Sequence, residues 1–180
     1  MSRKLITIVS IALLIVMTLT ACGGSKVAAA TGSKLGFGAV TNIAKSTDAT
    51  AEKAGNVQVY TSLAAVTIDD DGRITNVWID SIQSNVGVDT AGKVTTDLKK
   101  MMETKREIGD AYGMKKQSKL GKEWWEQADA LEKALIGKTK ADLAGMMTAE
   151  GKAAGDVAAS VSITVTDYLE AVSRAIDSAE

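Results

Sequence analysis

The 180-residue sequence contains no histidine, no proline and a single cysteine. Without histidine, the chain lacks the usual general base and the commonest metal ligand, and one cysteine can form neither a zinc site nor an intramolecular disulfide. Hydrolytic triads and metal sites are therefore disfavoured, and the fold must be stabilised by its core alone. The absence of proline also leaves no helix or domain boundary marked by that residue.

The first residues have the pattern of an export signal. Arg3 and Lys4 precede an uncharged, mainly apolar run from Leu5 to Leu19, which is short for a membrane-spanning helix. The run ends in Leu19-Thr20-Ala21-Cys22, which resembles the bacterial lipobox, whose cysteine sulfur receives a diacylglycerol. The sequence therefore predicts a lipoprotein signal peptide over residues 1–21. Lipid on Cys22 would then hold the chain on the extracytoplasmic face of the cell membrane.

The chain that follows the predicted cleavage site is long enough for one domain. Residues 22–180 carry 19 basic and 22 acidic side chains, which gives a net charge of −3. This balance indicates neither a nucleic acid nor an anionic lipid surface as a partner. Residues 22–34 are mostly small or polar and predict a flexible tether, and residues 35–180 predict a single folded domain.

Strand signals dominate the first half of the predicted domain. Leu35–Val40 and Val57–Ile68 are rich in β-branched and aromatic residues, and Arg73–Ile82 alternates in character. Asp69-Asp70-Asp71-Gly72 lies between the last two segments and is a turn signal, because glycine readily adopts positive φ. A calcium loop would need further ligands that this stretch lacks, so the sequence favours a β-hairpin here.

Helical spacing predicts three helices in the second half. The longest covers Lys122–Ile136 and stops at Gly137, a favourable C-terminal residue. A shorter one is predicted from Thr139, which can cap it, to about Met147, and the last begins with a cap at Thr166-Asp167. The apolar residues that the first and last helices are expected to bury are Trp125, Ala128, Leu131, Leu135, Leu169, Val172 and Ile176.

Three segments carry weaker signals. Val94–Leu98 fits either a short strand or the start of a helix, whereas Thr104–Lys116 is charged and broken by glycine, which predicts an irregular connection. Val157–Val165 alternates in character and predicts a strand. Strands first, helices next, and then a strand and a helix predict an α+β domain with a mainly antiparallel sheet packed with helices.

The adjacent Trp124 and Trp125 are a candidate platform for a planar ligand such as a flavin or a sugar. Neighbouring helical residues point about 100° apart, so only one of the two readily shares a face with Leu131 and Leu135. The spacing favours Trp125 in the core and leaves Trp124 exposed and available to a ligand. A basic cluster could meet a phosphate group, although a solvated face is the favoured interpretation: Lys115, Lys116, Lys119 and Lys122.

The most specific pattern lies near the C-terminus, where Asp156-Val157-Ala158-Ala159-Ser160-Val161-Ser162-Ile163-Thr164 leads into a helical segment that contains Ala171-Val172. This order resembles the C-terminal part of bacterial FMN-binding domains. Aligned without a gap, Asp156 meets the family's Asp, Ser162 its flavin-modified hydroxyl and Thr164 its second hydroxyl. The turn Asp71-Gly72-Arg73-Ile74 is similar to the family's Asp-Gly-Lys-Ile turn.

The chain departs from the family pattern at the attachment motif itself. Ser160 and Val161 replace a Gly-Ala pair, and Ser162 replaces a threonine. The middle of the chain looks like a subgroup of FMN-binding-domain lipoproteins from Gram-positive anaerobes.

The resemblance implies an FMN-binding-domain-like fold and an extracytoplasmic electron carrier that works with redox partner proteins rather than a catalyst. It also implies FMN held at Ser162, covalently or not, with Asp156, Ser160 and Thr164 around it. The alternative is a non-redox surface binding or scaffold lipoprotein that kept the fold and lost the cofactor.

We expect Cys22→Ala to abolish lipid attachment, because the chain has no other thiol. The full chain is expressed in bacteria supplied with radiolabelled palmitate. The wild type should be labelled and shortened by its signal peptide, whereas the mutant should remain an unlabelled precursor. Ser25→Ala lies just beyond the motif and should behave like the wild type. Label on the Cys22→Ala protein would overturn the predicted anchor.

Overall fold

The computed structural model describes residues 33–180. The predicted signal peptide, Cys22 and all but the last two residues of the predicted tether lie outside the described residues. Residues 33–180 form a three-stranded antiparallel sheet packed with helices, which confirms the predicted α+β class. Among these residues, no helix has both the length and the apolar character needed to cross a membrane.

The sheet has the strand order β1-β2-β3, with strands at Lys34–Asn42, Gly55–Ile68 and Ile74–Val88. The predicted hairpin between β2 and β3 is confirmed. In its turn, a carboxylate oxygen of Asp69 accepts hydrogen bonds from the backbone N–H groups of Asp71 and Arg73. Register and turn therefore follow from local sequence, although β3 continues beyond the predicted end at residue 82.

A second turn of the same construction follows β3. A carboxylate oxygen of Asp89 accepts hydrogen bonds from the N–H groups of Ala91 and Lys93, and Gly92 has a φ of +82°. The turn brings Val94 back to pair with the end of β3 as an isolated antiparallel bridge. Residues 94–98 therefore begin with a single bridge and contain no helix.

Helix α2 covers Trp124–Leu135 and confirms the longest predicted helix, and Gly137 follows it with a φ of +77°. The short helix predicted after Thr139 exists as a 3-10 helix, Lys140–Met146, with a capping box at its start. Within residues 33–180, the remaining α-helices are α1, Lys105–Ile108, and α3, Thr166–Asp177. The other 3-10 helices are Gly109–Tyr112, Met114–Lys116 and Gly155–Ala159.

Three local expectations are wrong. The stretch 104–116, expected to be irregular, consists largely of short helical turns. The strand expected over 157–165 is absent, because the stretch starts within a 3-10 helix and only Thr164 forms an isolated bridge, with Lys152. Helix α3 begins after Val165 with no side-chain cap, so the cap predicted at Thr166-Asp167 does not form.

The face of α2 that packs into the core also differs from the predicted one. Trp124 is buried, with 2% of its surface exposed, whereas Trp125 is only partly buried and donates its indole N–H to Asp110. Trp124 precedes Ala128 and Leu131 by four and seven residues, the spacing of one helical face, whereas Trp125 lies one position off that face. The large ring therefore fills the core from position 124.

Helix α3 lies unusually close to β1. A Cβ atom added to Gly36 would lie 1.8 Å from the backbone oxygen of Ala175, and one added to Gly38 would lie 2.0 Å from that of Ala171. Glycine is therefore required in β1 for the helix backbone to reach the sheet. The predicted buried stripe of α3 is confirmed for Leu169 and Val172, while Ile176 is partly buried.

Side chains near the C-terminus occupy the outer edge of β1. The hydroxyl of Ser178 accepts from the N–H of Phe37 at 3.0 Å and donates to its carbonyl at 2.9 Å. Arg174 donates to the carbonyl of Ala39 at 3.1 Å, and Leu35 exchanges backbone hydrogen bonds with Glu180. Groups that would otherwise lie unpaired along an edge strand are therefore satisfied.

The outer edge of β3 is covered in the same way by other segments. Arg106 donates its Nε–H to the carbonyl of Ile79 at 2.7 Å, and Glu132 accepts from the N–H of Ile79 at 2.6 Å. Further along the strand, Thr95 and Thr96 pair with the backbone of Gly87. Parts of both long edges of the sheet are thus covered by non-strand groups.

We expect Gly38→Ala to destabilise the protein by about 1–3 kcal/mol or more, because the added methyl group forces α3 away from β1. Chemical denaturation of the full chain in detergent measures the loss. Gly145→Ala is the matched control, since its Cβ would meet no atom within 4 Å and its φ is not positive. Equal stability of the two variants would show that the close contact is not required.

Candidate functional site

A cavity of about 360 Å³ opens between the core face of the sheet, helix α1 and the start of α3. Four aromatic rings form much of its wall, and three lysines and one aspartate supply its charges. The aromatic residues are Tyr60, Tyr112, Trp124 and Tyr168. The charged residues are Lys45, Lys105, Lys152 and Asp167, so ammonium groups outnumber carboxylates.

Lys105 is a buried cation in this wall, with only 5% of its surface exposed. Its Nζ lies 4.7 Å from the ring centre of Tyr60, 4.6 Å from that of Tyr112 and 5.4 Å from that of Trp124. It also donates a hydrogen bond to the Tyr60 hydroxyl at 2.9 Å. The ammonium group is therefore held by π faces and one neutral oxygen.

No carboxylate of residues 33–180 forms an ion pair with Lys105. Burial, together with the positive charge of Lys45, lowers the pKa of Lys105 to about 8, and the negative charge of Asp80 opposes this shift. Charged lysine is costly to bury unless it is paired, and strongly shifted groups concentrate at functional sites. Lys105 is thus the most unusual ionisable group of the cavity.

The neighbouring Arg106 fixes helix α1 in place. Its guanidinium forms ion pairs with Asp129 at 2.8 Å and Glu132 at 2.6 Å, and its backbone N–H donates to the buried Asp80 at 3.2 Å. Burial raises the pKa of Glu132, although Arg106 and the N–H of Ile79 oppose this rise. Because Arg106 is bonded to α2 and β3, Lys105 projects in the other direction, into the cavity.

A hydrogen-bonded group of aromatic side chains forms the buried part of the wall. The Trp124 indole N–H donates to the Tyr168 hydroxyl at 3.0 Å, and the Tyr60 hydroxyl bonds with those of Tyr168 and Ser81. Burial raises the pKa of Tyr60 and Tyr168, so both phenols stay neutral at physiological pH. These polar atoms hold the rings in fixed orientations.

Gln127 orients the segment that carries the predicted hydroxyls. It is fully buried, and its amide oxygen accepts from the Ser162 N–H at 2.8 Å, the Ser162 hydroxyl at 3.1 Å and the Ile163 N–H at 3.3 Å. Lys152 donates to the Thr164 hydroxyl at 3.1 Å and to the Ser162 carbonyl at 3.3 Å. Bonds that a neighbouring strand would have made are thus made by side chains.

The four residues predicted to bind a cofactor do not lie together. Ser162 and Thr164 line the cavity, beside Lys152. Asp156 and Ser160 line a separate concavity of about 500 Å³ beside helix α2. Of the four predicted residues, only Ser162 and Thr164 therefore lie in the lining of this cavity.

Trp124 does line the cavity, but as part of its buried wall rather than as an exposed platform. Lys115, Lys116 and Lys119 are exposed, as a solvated face requires. Sequence reasoning missed Lys105 and Gln127. Lys105 lies in a charged stretch, where burial is not expected. Gln127 gave no sign of burial other than its position one turn after Trp124.

Comparison with known proteins gives one partial relative. A stretch of 41 residues is 56% identical to a protein named chlorophenol reductase from Desulfitobacterium hafniense, and it covers 23% of this chain and 12% of that protein. No family model matches the chain, and no solved structure matches it. Because so little of the reductase is covered, the likeness does not establish a family.

We expect Lys105→Met to stabilise the protein at pH 7, because methionine fills similar space without a buried charge. A pKa lowered from 10.5 to about 8 corresponds to a penalty of about 3 kcal/mol, present in full below pH 8. Between pH 8 and 10.5 the unfolded chain binds more protons, so this penalty disappears as pH rises.

Urea unfolding of the full chain in detergent at pH 7 and pH 9.5 measures the difference between wild type and variant. The advantage of Lys105→Met should shrink at the higher pH. Lys119→Met removes an exposed lysine and should leave stability within about 0.5 kcal/mol of the wild type at both values. A difference between Lys105→Met and the wild type that does not change with pH would contradict the assignment.

Proposed function

We propose that this chain is a membrane-anchored extracytoplasmic lipoprotein that binds FMN and serves as an electron carrier. One observation carries the proposal. Ser162 and Thr164, the two hydroxyls that align with the FMN-binding-domain motif, line an aromatic and cationic cavity. The motif and the cavity are independent features of the chain, and both point to the same few residues.

The residues of the cavity fit FMN in their chemistry. A volume of about 360 Å³ lies within the usual range for small-molecule sites, and aromatic walls suit a planar ring system. Lys45 and Lys152 are exposed lysines of the lining and suit a phosphate group. Bound FMN would supply the electron transfer, and the chain would supply its position and electrostatic surroundings.

The bonding of Ser162 favours non-covalent binding. Its hydroxyl donates to the buried Gln127, and the residue is half-buried rather than freely exposed. A transferase that attaches FMN needs access to the hydroxyl, and Thr164, which is exposed, is the more accessible of the two. The proposal therefore has FMN held in the cavity mainly by non-covalent contacts.

The anchor is the second part of the proposal, and it rests on Cys22 and the signal pattern before it. Residues 23–33 separate that cysteine from β1, which begins at Lys34. A segment of small and polar residues suits a tether that allows the domain to meet redox partner proteins near the membrane.

The alternative function is a non-redox binding or scaffold lipoprotein. The bonding of the cavity wall favours it, because Tyr60, Tyr168 and Trp124 already satisfy one another. These three rings therefore need no ligand to complete their own hydrogen bonds. The two functions differ in one measurable property, the presence of flavin in the native protein.

We expect the full chain, purified in detergent from a native membrane, to absorb near 450 nm. Ser162→Ala should lower the flavin content by several-fold, because it removes a polar group from the cavity lining. Ser160→Ala is the matched control, since Ser160 lies at the other concavity and should leave the flavin content unchanged. A colourless wild type that also fails to take up added FMN would contradict the FMN proposal and support the binding or scaffold function.

Intact-mass measurement of the same samples separates the two modes of binding. Non-covalent FMN is lost under denaturing conditions, so the wild-type mass should equal that of the lipidated chain. A mass increase of one FMN that disappears in Ser162→Ala would instead show covalent attachment at Ser162.

A further inference from the structure

The cavity concentrates positive charge on a protein whose net charge is −1. Lys45, Lys105 and Lys152 line it together with a single acid, Asp167. The carboxylate of Asp167 accepts a hydrogen bond from the side-chain amide of Asn42, another residue of the lining. The cavity is thus a local reversal of the overall charge, and such a reversal attracts anions.

The positive charges of the lining include both exposed and buried lysines. Lys45 and Lys152 are exposed, whereas only 5% of the surface of Lys105 is exposed. An ammonium group has three N–H donors, and the contacts of residues 33–180 give Lys105 one acceptor, the Tyr60 hydroxyl. The other two donors have only aromatic faces as partners, and an acidic group inside the cavity would bind them more strongly.

We infer that the cavity selects an aromatic ligand with an acidic group, and that this group forms an ion pair with Lys105. The aromatic walls favour a planar apolar body, and the buried ammonium lacks a carboxylate partner that an anionic ligand would provide. A charge-assisted hydrogen bond is strong where water is excluded. The inference concerns the charge that a ligand must carry, and so it goes beyond the identity of the cofactor.

The aromatic cage explains why Lys105 can be kept charged before the ligand arrives. The rings of Tyr60, Tyr112 and Trp124 stabilise the ammonium, but they contribute no formal negative charge. An acid in their place would neutralise the site and repel an anionic ligand. The cage therefore maintains a buried cation that remains attractive to anions.

The test uses two probes that differ only in charge, naphthalene-2-carboxylate and the neutral naphthalene-2-carboxamide. The full-length lipidated protein is purified in detergent, any bound flavin is removed by dialysis and its loss checked by absorbance, and both probes are titrated by calorimetry at pH 7. We expect the carboxylate to bind at least tenfold more tightly. Lys105→Met should abolish this preference, whereas Lys119→Met, which changes an exposed lysine outside the cavity, should retain it.

Equal affinities of the two probes for the wild type, or binding of neither, would overturn the inference. So would a preference that survives in a folded Lys105→Met protein, with folding checked by circular dichroism. If that variant fails to fold, the wild-type comparison of the two probes decides alone. Preference for the carboxylate in a protein that binds no FMN supports the inference and separates its outcome from that of the proposed function.

Discussion

The contact between helix α3 and strand β1 is the constraint on which the cavity depends. Because Gly36 and Gly38 have no side chains, the helix backbone rests directly on the strand. That position brings Tyr168, on the first turn of α3, to the ring of Trp124, with 5.9 Å between ring centres. A thicker layer between helix and sheet would move Tyr168 away from its partners and open the wall. Two missing side chains in β1 thus determine the position of one ring in the cavity wall.

Adjacent cations on helix α1 have opposite environments. Arg106 is paired with Asp129 and Glu132 and connects α1 to α2, so its charge serves the fold. Lys105 has aromatic faces where Arg106 has carboxylates, so its charge weakens the fold but remains available in the cavity. Two adjacent cations of one short helix therefore have opposite effects on stability.

Local signals predicted the parts of the fold that depend on local contacts. The hairpin turn at Asp69 bonds to its own backbone, and α2 ends at Gly137 as its sequence indicates. Prediction failed where distant contacts decide. Alternation over 157–165 suited a strand, but Gln127 bonds to the N–H groups at 162 and 163 in place of a neighbouring strand. The sequence singled out Ser162 and Thr164, which line the cavity, but not Lys105, whose burial depends on rings distant in sequence.

Hydrogen bonds along the edge strands of the sheet limit how this protein can bind another protein. Ser178 and Arg174 form hydrogen bonds with backbone groups of β1, and Arg106 and Glu132 do the same with backbone groups of β3. Along these stretches an extended peptide would meet N–H and C=O groups that are already paired. Copies of the domain crowded on a surface would resist fusing into a larger sheet for the same reason. A contact with another protein would then be made through side chains rather than through the backbone of the sheet.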